Sequence, residues 1–98
     1  MTESQLQSNI IKHLKHKGCY VIKHQAGPGV PTGCPDLSFY KEGFYGFIEV
    51  KSSKTARFQP LQKETIAKLD NWSWCKVVYP ENWQEILNPN RLLRICPR

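Results

Sequence analysis

The stretch from Phe44 to Lys51 constrains the fold most, because it places two opposite charges inside an otherwise apolar segment. Its aromatic and β-branched content predicts a β-strand, in which alternate side chains point to opposite faces of a sheet. Glu49 and Lys51 then share one face of the strand. The neighbouring Ile48 and Val50 point to the other face. Charged side chains inside such a strand are costly unless they have a partner or a task, so this face is a candidate site.

A second acid lies in the segment just before this strand. Residues 36–40 have strand-forming side chains and start with Asp36. The short turn at residues 41–43 separates them from the strand at residues 44–51, so the two strands are predicted to pair as a hairpin. Asp36 and Glu49 then converge near one end of the sheet.

The segment from Ala26 to Pro35 precedes Asp36 and contains three prolines and three glycines in ten residues. This content excludes both helix and strand, so the segment is predicted to be a loop. A glycine-rich loop lets the backbone approach a ligand closely. The alternative is a plain connection between two strands, which is long for a chain of this size.

Two further segments have the periodicity of amphipathic helices. Thr2 and Gln5 form the sequence of a capping box, and apolar residues follow at helical spacing up to Gly18, a residue type that often ends helices. The second helix is predicted to begin at Pro60, a favourable first helical residue, and to break at Asp70. The apolar stripes are Leu6, Ile10, Ile11 and Leu14 in the first helix and Leu61, Ile66 and Leu69 in the second.

The remaining segments complete the predicted order of elements. Residues 19–24 and 74–79 are predicted strands, residues 80–87 a short helix, and residues 91–98 a basic tail that is in part a strand. The order α-β-β-β-α-β-α predicts an α/β fold in which helices flank a mixed sheet. At 98 residues the chain is expected to form a single domain spanning 1–98.

The charge balance indicates the class of partner. Fourteen Lys and Arg residues against eight Asp and Glu residues give a net charge of +6 and a pI near 9.3. A small domain this basic is expected to bind a polyanion, and charge alone leaves nucleic acid and an acidic membrane surface both open. No apolar run approaches the roughly 18 residues of a membrane helix, and no secretion signal is apparent. We therefore expect an intracellular protein that is neither secreted nor embedded in a membrane.

The four cysteines do not form a C-x-x-C motif, so neither a thioredoxin-like site nor a zinc ribbon is predicted. Cys75 and Cys96 have apolar neighbours, which favours buried free thiols. Disulfide bonds are disfavoured in a chain without a secretion signal.

The predicted convergence of two carboxylates and an ammonium group suits a divalent-cation site. Mg²⁺ and Mn²⁺ prefer carboxylate and carbonyl oxygens, so the candidate ligands are Asp36, Glu49 and the backbone carbonyl of Val50. Lys51, kept protonated by the carboxylates, can stabilise charge on a phosphate. Glu3 heads the apolar stripe of the first helix, as a further acid of the site or as an ordinary helix-dipole acid. The alternative for Glu49 and Lys51 is a cross-strand ion pair worth little.

Several short motifs follow one another in the order found in the PD-(D/E)-x-K nuclease superfamily. They are an acid on the first helix (Glu3), the sequence GCPDL at residues 33–37, the sequence FIEVKS at residues 47–52, and Gln62 on the next helix. Within this superfamily the chain resembles the VRR-NUC (virus-type replication-repair nuclease) family from Glu3 to Val78.

This resemblance implies a restriction-endonuclease-like core and an endonuclease that hydrolyses DNA phosphodiester bonds with Mg²⁺ or Mn²⁺. Small viral members of the family are structure-selective and cut branched DNA, such as Holliday junctions, as homodimers. The same properties, and a role in phage or mobile-element replication and repair, are implied for this chain. The implied catalytic residues are Glu3, which reaches the metal directly or through water, and Asp36, Glu49, Lys51 and Gln62.

Basic residues around the predicted site are candidates for holding the DNA backbone. The family often carries a basic residue shortly before the Gly-x-Pro-Asp loop, where this chain has Pro31 and Thr32. Lys23 or His24 is expected to supply that charge instead. The full set of candidates is Lys23, His24, Lys54, Arg57 and Lys63. For the last three, the alternative is a solvated turn without a role.

Two other classes of function stay open at this point. The first is a non-catalytic nucleic-acid-binding module that kept a nuclease fold, and the second is a partner-binding protein that uses its aromatic residues. Trp72 and Trp74 are left open between base stacking and core packing, whereas Trp83 is expected in the core. The intact Asp, Glu and Lys set favours the enzyme, because a binding module has no need for it.

Overall fold

The computed structural model describes residues 1–25, 27–31 and 33–87. The predicted basic tail at residues 91–98, including Cys96, lies outside this part of the chain. The order of elements is the predicted one, and the structure confirms the α/β class. The elements are α1 (Glu3–His16), β1 (Tyr20–Lys23), β2 (Leu37–Lys41), β3 (Phe44–Val50), α2 (Gln62–Trp72), β4 (Cys75–Val78) and α3 (Trp83–Ile86).

The sheet has four strands in the order β1-β2-β3-β4. The first three strands pair antiparallel, and β4 pairs parallel to β3, so the sheet is mixed as predicted. The hairpin of β2 and β3 places Leu37 opposite Ile48 and Ser38 opposite Phe47. This register brings Asp36, which directly precedes β2, to the level of Glu49.

One face of the sheet forms the core with α1. Leu6, Ile10 and Leu14 of α1 are fully buried, which follows from their helical spacing. They pack in one cluster with Leu37, Phe39, Ile48, Val50, Trp74, Val78 and Leu87. Since Ile48 and Val50 belong to this core, the side chain of Glu49 points to the opposite face, as the alternation of the strand predicts.

The start of α1 is fixed by the predicted capping box. The backbone N–H of Gln5 donates to the hydroxyl of Thr2 at 3.1 Å, and the backbone N–H of Thr2 donates to the side chain of Gln5 at 2.8 Å. Together these bonds satisfy two donors that a helix start would otherwise leave without partners. The helix ends at His16, and Gly18 follows with a φ of +87°.

The predicted bounds of the second helix were wrong at both ends. The helix begins at Gln62 rather than at Pro60, because Leu61 has a φ of +70° in the left-handed region and interrupts helical geometry. It does not break at Asp70 but continues to Trp72. The carboxylate of Asp70 accepts a hydrogen bond from the backbone N–H of Cys75 at 3.1 Å, so this residue ties the helix to β4.

Smaller differences concern the remaining bounds and residues. The short helix is one turn, Trp83–Ile86, rather than residues 80–87. Cys19, Cys34 and Cys75 are free thiols, and Cys75 is buried as predicted. Within the described residues, no helix is long and apolar enough to cross a lipid bilayer.

Candidate active site

Two carboxylates meet at one end of the hairpin. The Oδ2 atom of Asp36 accepts a hydrogen bond from the backbone N–H of Val50 at 2.8 Å. Val50 directly follows Glu49 in β3, so this bond holds Asp36 beside Glu49. The predicted convergence of the two acids is thus present in the structure.

The side chain of Glu49 is 2% exposed, and its negative charge is only partly compensated by the residues around it. Its Oε2 atom accepts a hydrogen bond from Nε2 of Gln62 at 3.0 Å and lies 3.2 Å from Nζ of Lys51. Its Oε1 atom is buried and has no hydrogen-bond partner among the described residues. Burial and, next, the negative charge of Asp36 raise the pKa of Glu49 to about 7, against the smaller opposite effect of Lys51. The ionised form of Glu49 is therefore energetically unfavourable when only protein groups surround it.

Lys51 follows directly after β3, and its ammonium group is fully engaged. Nζ donates to Oε1 of Gln62 at 3.0 Å and to the backbone carbonyl of Arg57 at 3.2 Å, and it pairs with Glu49. Three partners match the three donors of an ammonium group. Nζ also lies 4.8 Å from the ring centroid of Phe58, within the range of a cation–π contact. Lys51 is therefore held in one position beside the carboxylates.

Gln62 is the first residue of α2 and joins the two charged residues. Its Nε2 donates to Glu49, and its Oε1 accepts from Lys51 and from the backbone N–H of Gln59 at 2.7 Å. All of these contacts lie within the protein. The structure thus places Gln62 between Glu49 and Lys51, where it orients both side chains.

The position of Gln62 depends on a close contact between the predicted loop and the start of α2. Gly33 has a φ of +85°, and a Cβ atom there would lie 3.2 Å from the backbone of Leu61 and from the hydroxyl of Thr65. Such distances are tighter than ordinary van der Waals contacts. A glycine at position 33 therefore allows the loop before Asp36 to pack against the helix start that carries Gln62.

The carboxylate pair fits a hard divalent cation. Asp36 and Glu49 supply carboxylate oxygens, and the unpartnered Oε1 of Glu49 is a buried anionic atom that a cation would satisfy. The described residues contain no group of three or more His, Cys, Asp or Glu side chains suited to hold a metal. Mg²⁺ typically takes one or two carboxylates and completes its shell with water and substrate phosphates, so two protein carboxylates suffice.

Glu3 is not part of a three-acid cluster with Asp36 and Glu49 in the described structure. It is exposed in the first turn of α1, a position that suits the positive end of a helix. Its role as a metal ligand stays a prediction, as does that of the backbone carbonyl of Val50.

Three of the predicted DNA-contacting residues lie together beside Lys51. A cavity of about 560 Å³ is lined by Lys54, Arg57 and Lys63, with Phe58 between them in the sequence. Nζ of Lys63 lies 5.5 Å from the ring centroid of Phe58, the same ring that contacts Lys51. The cavity therefore has three positive charges against the one negative charge of Glu64, and it adjoins Lys51 through Arg57 and Phe58.

The other predicted contacts lie on the opposite side of Asp36. Lys23 is exposed at the end of β1. The backbone N–H of His24 donates to the carbonyl of Asp36 at 2.8 Å, and Nε2 of His24 lies 2.9 Å from the hydroxyl of Ser38. His24 is thus attached both to Asp36 and to β2, the strand that follows Asp36.

Sequence reasoning missed Ser38 and Phe58 as neighbours of the site. Ser38 is fully buried two residues after Asp36, so it shares the face of the carboxylates. Phe58 is a single aromatic residue in a polar segment, which is a signal that could have found it. Of the tryptophans, Trp74 is buried in the core, Trp83 packs against it as predicted, and Trp72 is 71% exposed.

The residues of this site lie within a match to a known protein family. The family model of the archaeal Holliday junction resolvases (Hjc) matches residues 3–77, which include Asp36, Glu49, Lys51 and Gln62. The chain belongs to this family. No curated protein matches it. Hjc is a PD-(D/E)XK-type nuclease family, so the predicted superfamily is confirmed, whereas the placement in VRR-NUC stays a prediction.

A solved Hjc structure has the same fold. Hjc of Archaeoglobus fulgidus, a Holliday junction resolvase from an archaeal hyperthermophile, matches with a TM-score of 0.55 at 16% sequence identity. The match covers 78% of this chain and 67% of that one. This likeness confirms the predicted restriction-endonuclease-like fold. Through its Hjc family the chain is a structure-selective, junction-cleaving nuclease that hydrolyses DNA. This confirms the predicted substrate and reaction, whereas the identity of the metal and the homodimer stay predictions.

Proposed function

We propose that this Hjc-family nuclease cuts branched DNA with a Mg²⁺ or Mn²⁺ ion held by Asp36 and Glu49. The observation that carries the proposal is the meeting of these two carboxylates with Lys51 and Gln62 at one end of the hairpin. When bound, such a cation polarises a phosphate oxygen and lowers the pKa of water.

The residues of the chain then have separate tasks. Asp36 and Glu49 supply ligand oxygens, with the carbonyl of Val50 as a further candidate. Lys51 brings a fixed positive charge to the place where a phosphodiester gains negative charge in the transition state. Gln62 orients Glu49 and Lys51 and is a positioning residue rather than a group that reacts.

The basic residues on either side hold the DNA backbone in this proposal. The cavity with Lys54, Arg57 and Lys63 binds phosphates beside Lys51, and Lys23 or His24 binds them beside Asp36. Such contacts give affinity without reading the sequence, and they weaken as the salt concentration rises.

We further propose that two copies act together on one junction. A two-fold homodimer presents two equivalent sites to the two strands that must be cut in a symmetric junction. The resemblance to small viral VRR-NUC nucleases supports this proposal and also a phage or mobile-element origin with action inside the host cell. The mass of the protein by light scattering at micromolar concentration, with and without DNA, tests the dimer.

The cleavage assay that tests this function compares four DNA substrates. Labelled four-way junction, flap, single-stranded and plain duplex DNA are incubated with Mg²⁺, Mn²⁺ or EDTA. We expect paired nicks in the junction that require the cation. Cleavage of flaps or single strands alone would reject the junction substrate, and binding without any cleavage would assign the chain to the binding modules.

Asp36→Asn is expected to abolish cleavage while DNA binding stays intact or becomes tighter. An asparagine can still accept the hydrogen bond from Val50, so the hairpin is kept, but it removes a ligand charge and a repulsion of the phosphates. We expect the cleavage rate to fall at least about a hundredfold. Loss of a residue that only hydrogen-bonds to a metal ligand typically lowers the rate by less than this. Single-turnover cleavage and DNA titration measure the two effects.

Asp70→Asn is the matched control for this change, because Asp70 also accepts a backbone N–H, that of Cys75, but pairs with Lys76 and is not one of the two proposed ligands. It should leave the cleavage rate unchanged. Loss of DNA binding together with cleavage in Asp36→Asn would contradict the proposed role of Asp36.

Gln62→Ala is expected to slow cleavage about 10–100-fold, as removal of a residue that orients metal ligands typically does. It also leaves Glu49, Lys51 and the N–H of Gln59 each short of one buried partner, so the free energy of unfolding should fall by about 1–3 kcal/mol. Cleavage rates and thermal melts measure both. The exposed Gln84 of α3 offers the control Gln84→Ala, and an unchanged cleavage rate in Gln62→Ala would disprove the positioning role.

A further inference from the structure

Three exposed tyrosines form a row across the sheet. Tyr20 of β1 pairs directly with Tyr40 of β2, and Tyr40 pairs with Tyr45 of β3, so all three side chains lie on one face. The ring centroids are 6.3 Å apart in the first pair and 6.4 Å apart in the second. The tyrosines are 70%, 37% and 47% exposed, respectively. Large apolar rings are thus presented to solvent in a continuous line.

This tyrosine row, Tyr20, Tyr40 and Tyr45, shares its face with the carboxylates. Tyr40 is four residues from Asp36, and Tyr45 is four residues from Glu49, so even spacing along each strand keeps them on one side. Four strand residues span about 13 Å. The ring of Phe47 contacts that of Tyr45 at 6.0 Å and fills the space in between.

On this face of the sheet, the residues near the carboxylates are buried, whereas the tyrosine row is exposed to solvent. Ser38 and Glu49 are buried, whereas Tyr20, Tyr40 and Tyr45 are not, and the neighbouring Ile22 is also 37% exposed. A DNA strand whose phosphate reaches Asp36 and Glu49 can extend along this face over the open part, about 13 Å away. The row is therefore within reach of the substrate of the proposed function.

A second copy of the chain is the competing occupant, and the area argues against it. A buried tyrosine side chain covers about 150–250 Å², so the exposed fractions of the three rings and Ile22 amount to roughly 400 Å². A stable protein interface needs about 800 Å² on each partner. Extended nucleic acid needs no such area, because each base stacks on one ring.

We propose that the tyrosine row is a stacking platform for unpaired bases at the branch point of the DNA substrate. The proposal rests on the proposed function and adds the feature that separates a junction from a plain duplex. Bases at a branch point can leave the helical stack, and a tyrosine ring offers a face to any of them without reading the sequence. Paired bases inside a duplex have no free face to offer.

Binding measurements in EDTA test the platform independently of cleavage. The double variant Tyr40→Ala with Tyr45→Ala should bind a four-way junction at least about twentyfold more weakly, from about fivefold or more for each ring. Its affinity for plain duplex should stay within about twofold of wild type. The Phe variants at the same positions keep the rings and should bind the junction like wild type.

Two further variants separate the platform from general effects. Tyr20→Ala removes the most exposed ring of the row, which lies on the edge strand. It should weaken binding of the junction but not of plain duplex, and it should not affect folding. Trp72→Ala removes an aromatic ring that is 71% exposed on α2, outside the row, and should leave junction binding unchanged. Circular dichroism spectra check that each variant folds.

Photo-crosslinking locates the contact. A junction with 5-iodouracil at the branch point should crosslink to a tyrosine of the row, and one with the label at an arm end should not. Wild-type junction affinity in the double Ala variant, or a change of its solution mass from dimer to monomer, would overturn the platform. Wild-type protein that binds junctions through the row but never cuts them would disprove the proposed function and leave the platform standing.

Discussion

Glu49→Gln is expected to abolish both divalent-cation binding and DNA cleavage. The side chain is 2% exposed and carries the buried oxygen that lacks a partner, so it is the strongest candidate ligand of the site. Glutamine keeps the shape but removes the charge that a hard cation needs. We expect the cleavage rate to fall at least about a hundredfold, which is more than the loss of a residue that only orients a metal ligand typically causes.

A thermal melt separates binding from catalysis in this experiment. A cation that binds the folded wild type at a hundredfold excess over its Kd stabilises it by about 2.7 kcal/mol. The Tm of wild type should therefore rise when Mg²⁺ or Mn²⁺ replaces EDTA, and the Tm of Glu49→Gln should not. The control is Glu64→Gln, which changes an exposed glutamate on α2 that pairs with Lys68. A normal cation-induced rise in Glu49→Gln would exclude Glu49 as a ligand.

Lys51→Met is expected to stop cleavage while cation binding is retained. Methionine keeps an apolar stem against Phe58 but removes the ammonium group that faces the carboxylates. Loss of one group that stabilises transition-state charge costs about 100–1,000-fold in rate. Because a positive charge repels a cation, the Tm rise with Mg²⁺ should be as large as in wild type or larger.

Lys68→Met is the matched control for Lys51→Met, since Lys68 is an exposed lysine on α2. It should cut junctions at the wild-type rate. The Lys51 change breaks a buried ion pair, so the Tm in EDTA should fall and cleavage must be measured below it. Loss of the cation-induced rise in Lys51→Met would show that Lys51 supports the cation site rather than the chemistry.

The order of the elements could be predicted from the sequence because each signal is local. The capping box of Thr2 and Gln5, the apolar stripe of α1 and the alternation along β3 all act within a few residues. The pairing of Asp36 with Glu49 followed from the short turn between β2 and β3, which leaves few registers. These parts of the fold and of the site were therefore predicted correctly.

The start of α2 could not be predicted in the same way. Pro60 is a favourable first helical residue, yet the helix begins only at Gln62 because Leu61 adopts a left-handed conformation. The backbone of Leu61 lies close to Gly33, almost thirty residues earlier in the chain. Local preference carries no information on such a contact, so the sequence predicted a helix that starts two residues early.

The hydrogen-bond partners within the site also could not be predicted from the sequence. The motif places Lys51 near the carboxylates, but it does not show that Gln62 and the carbonyl of Arg57 occupy its other donors. The exposure of Tyr20, Tyr40 and Tyr45 likewise depends on what covers each part of the sheet. Alternation predicts their common face, and only the packing of the whole domain leaves that part of the face open.

The side chains that meet at the site all come from one stretch, Asp36 to Gln62. One hairpin and the start of one helix therefore bring them together. The entropy lost on closing a loop grows only slowly with its length, and loops this short keep that loss small. The site is thus a local unit of the chain. Substitutions in α1 or α3 that weaken the core should reduce the fraction of folded molecules, whereas each folded molecule keeps the same arrangement of charges.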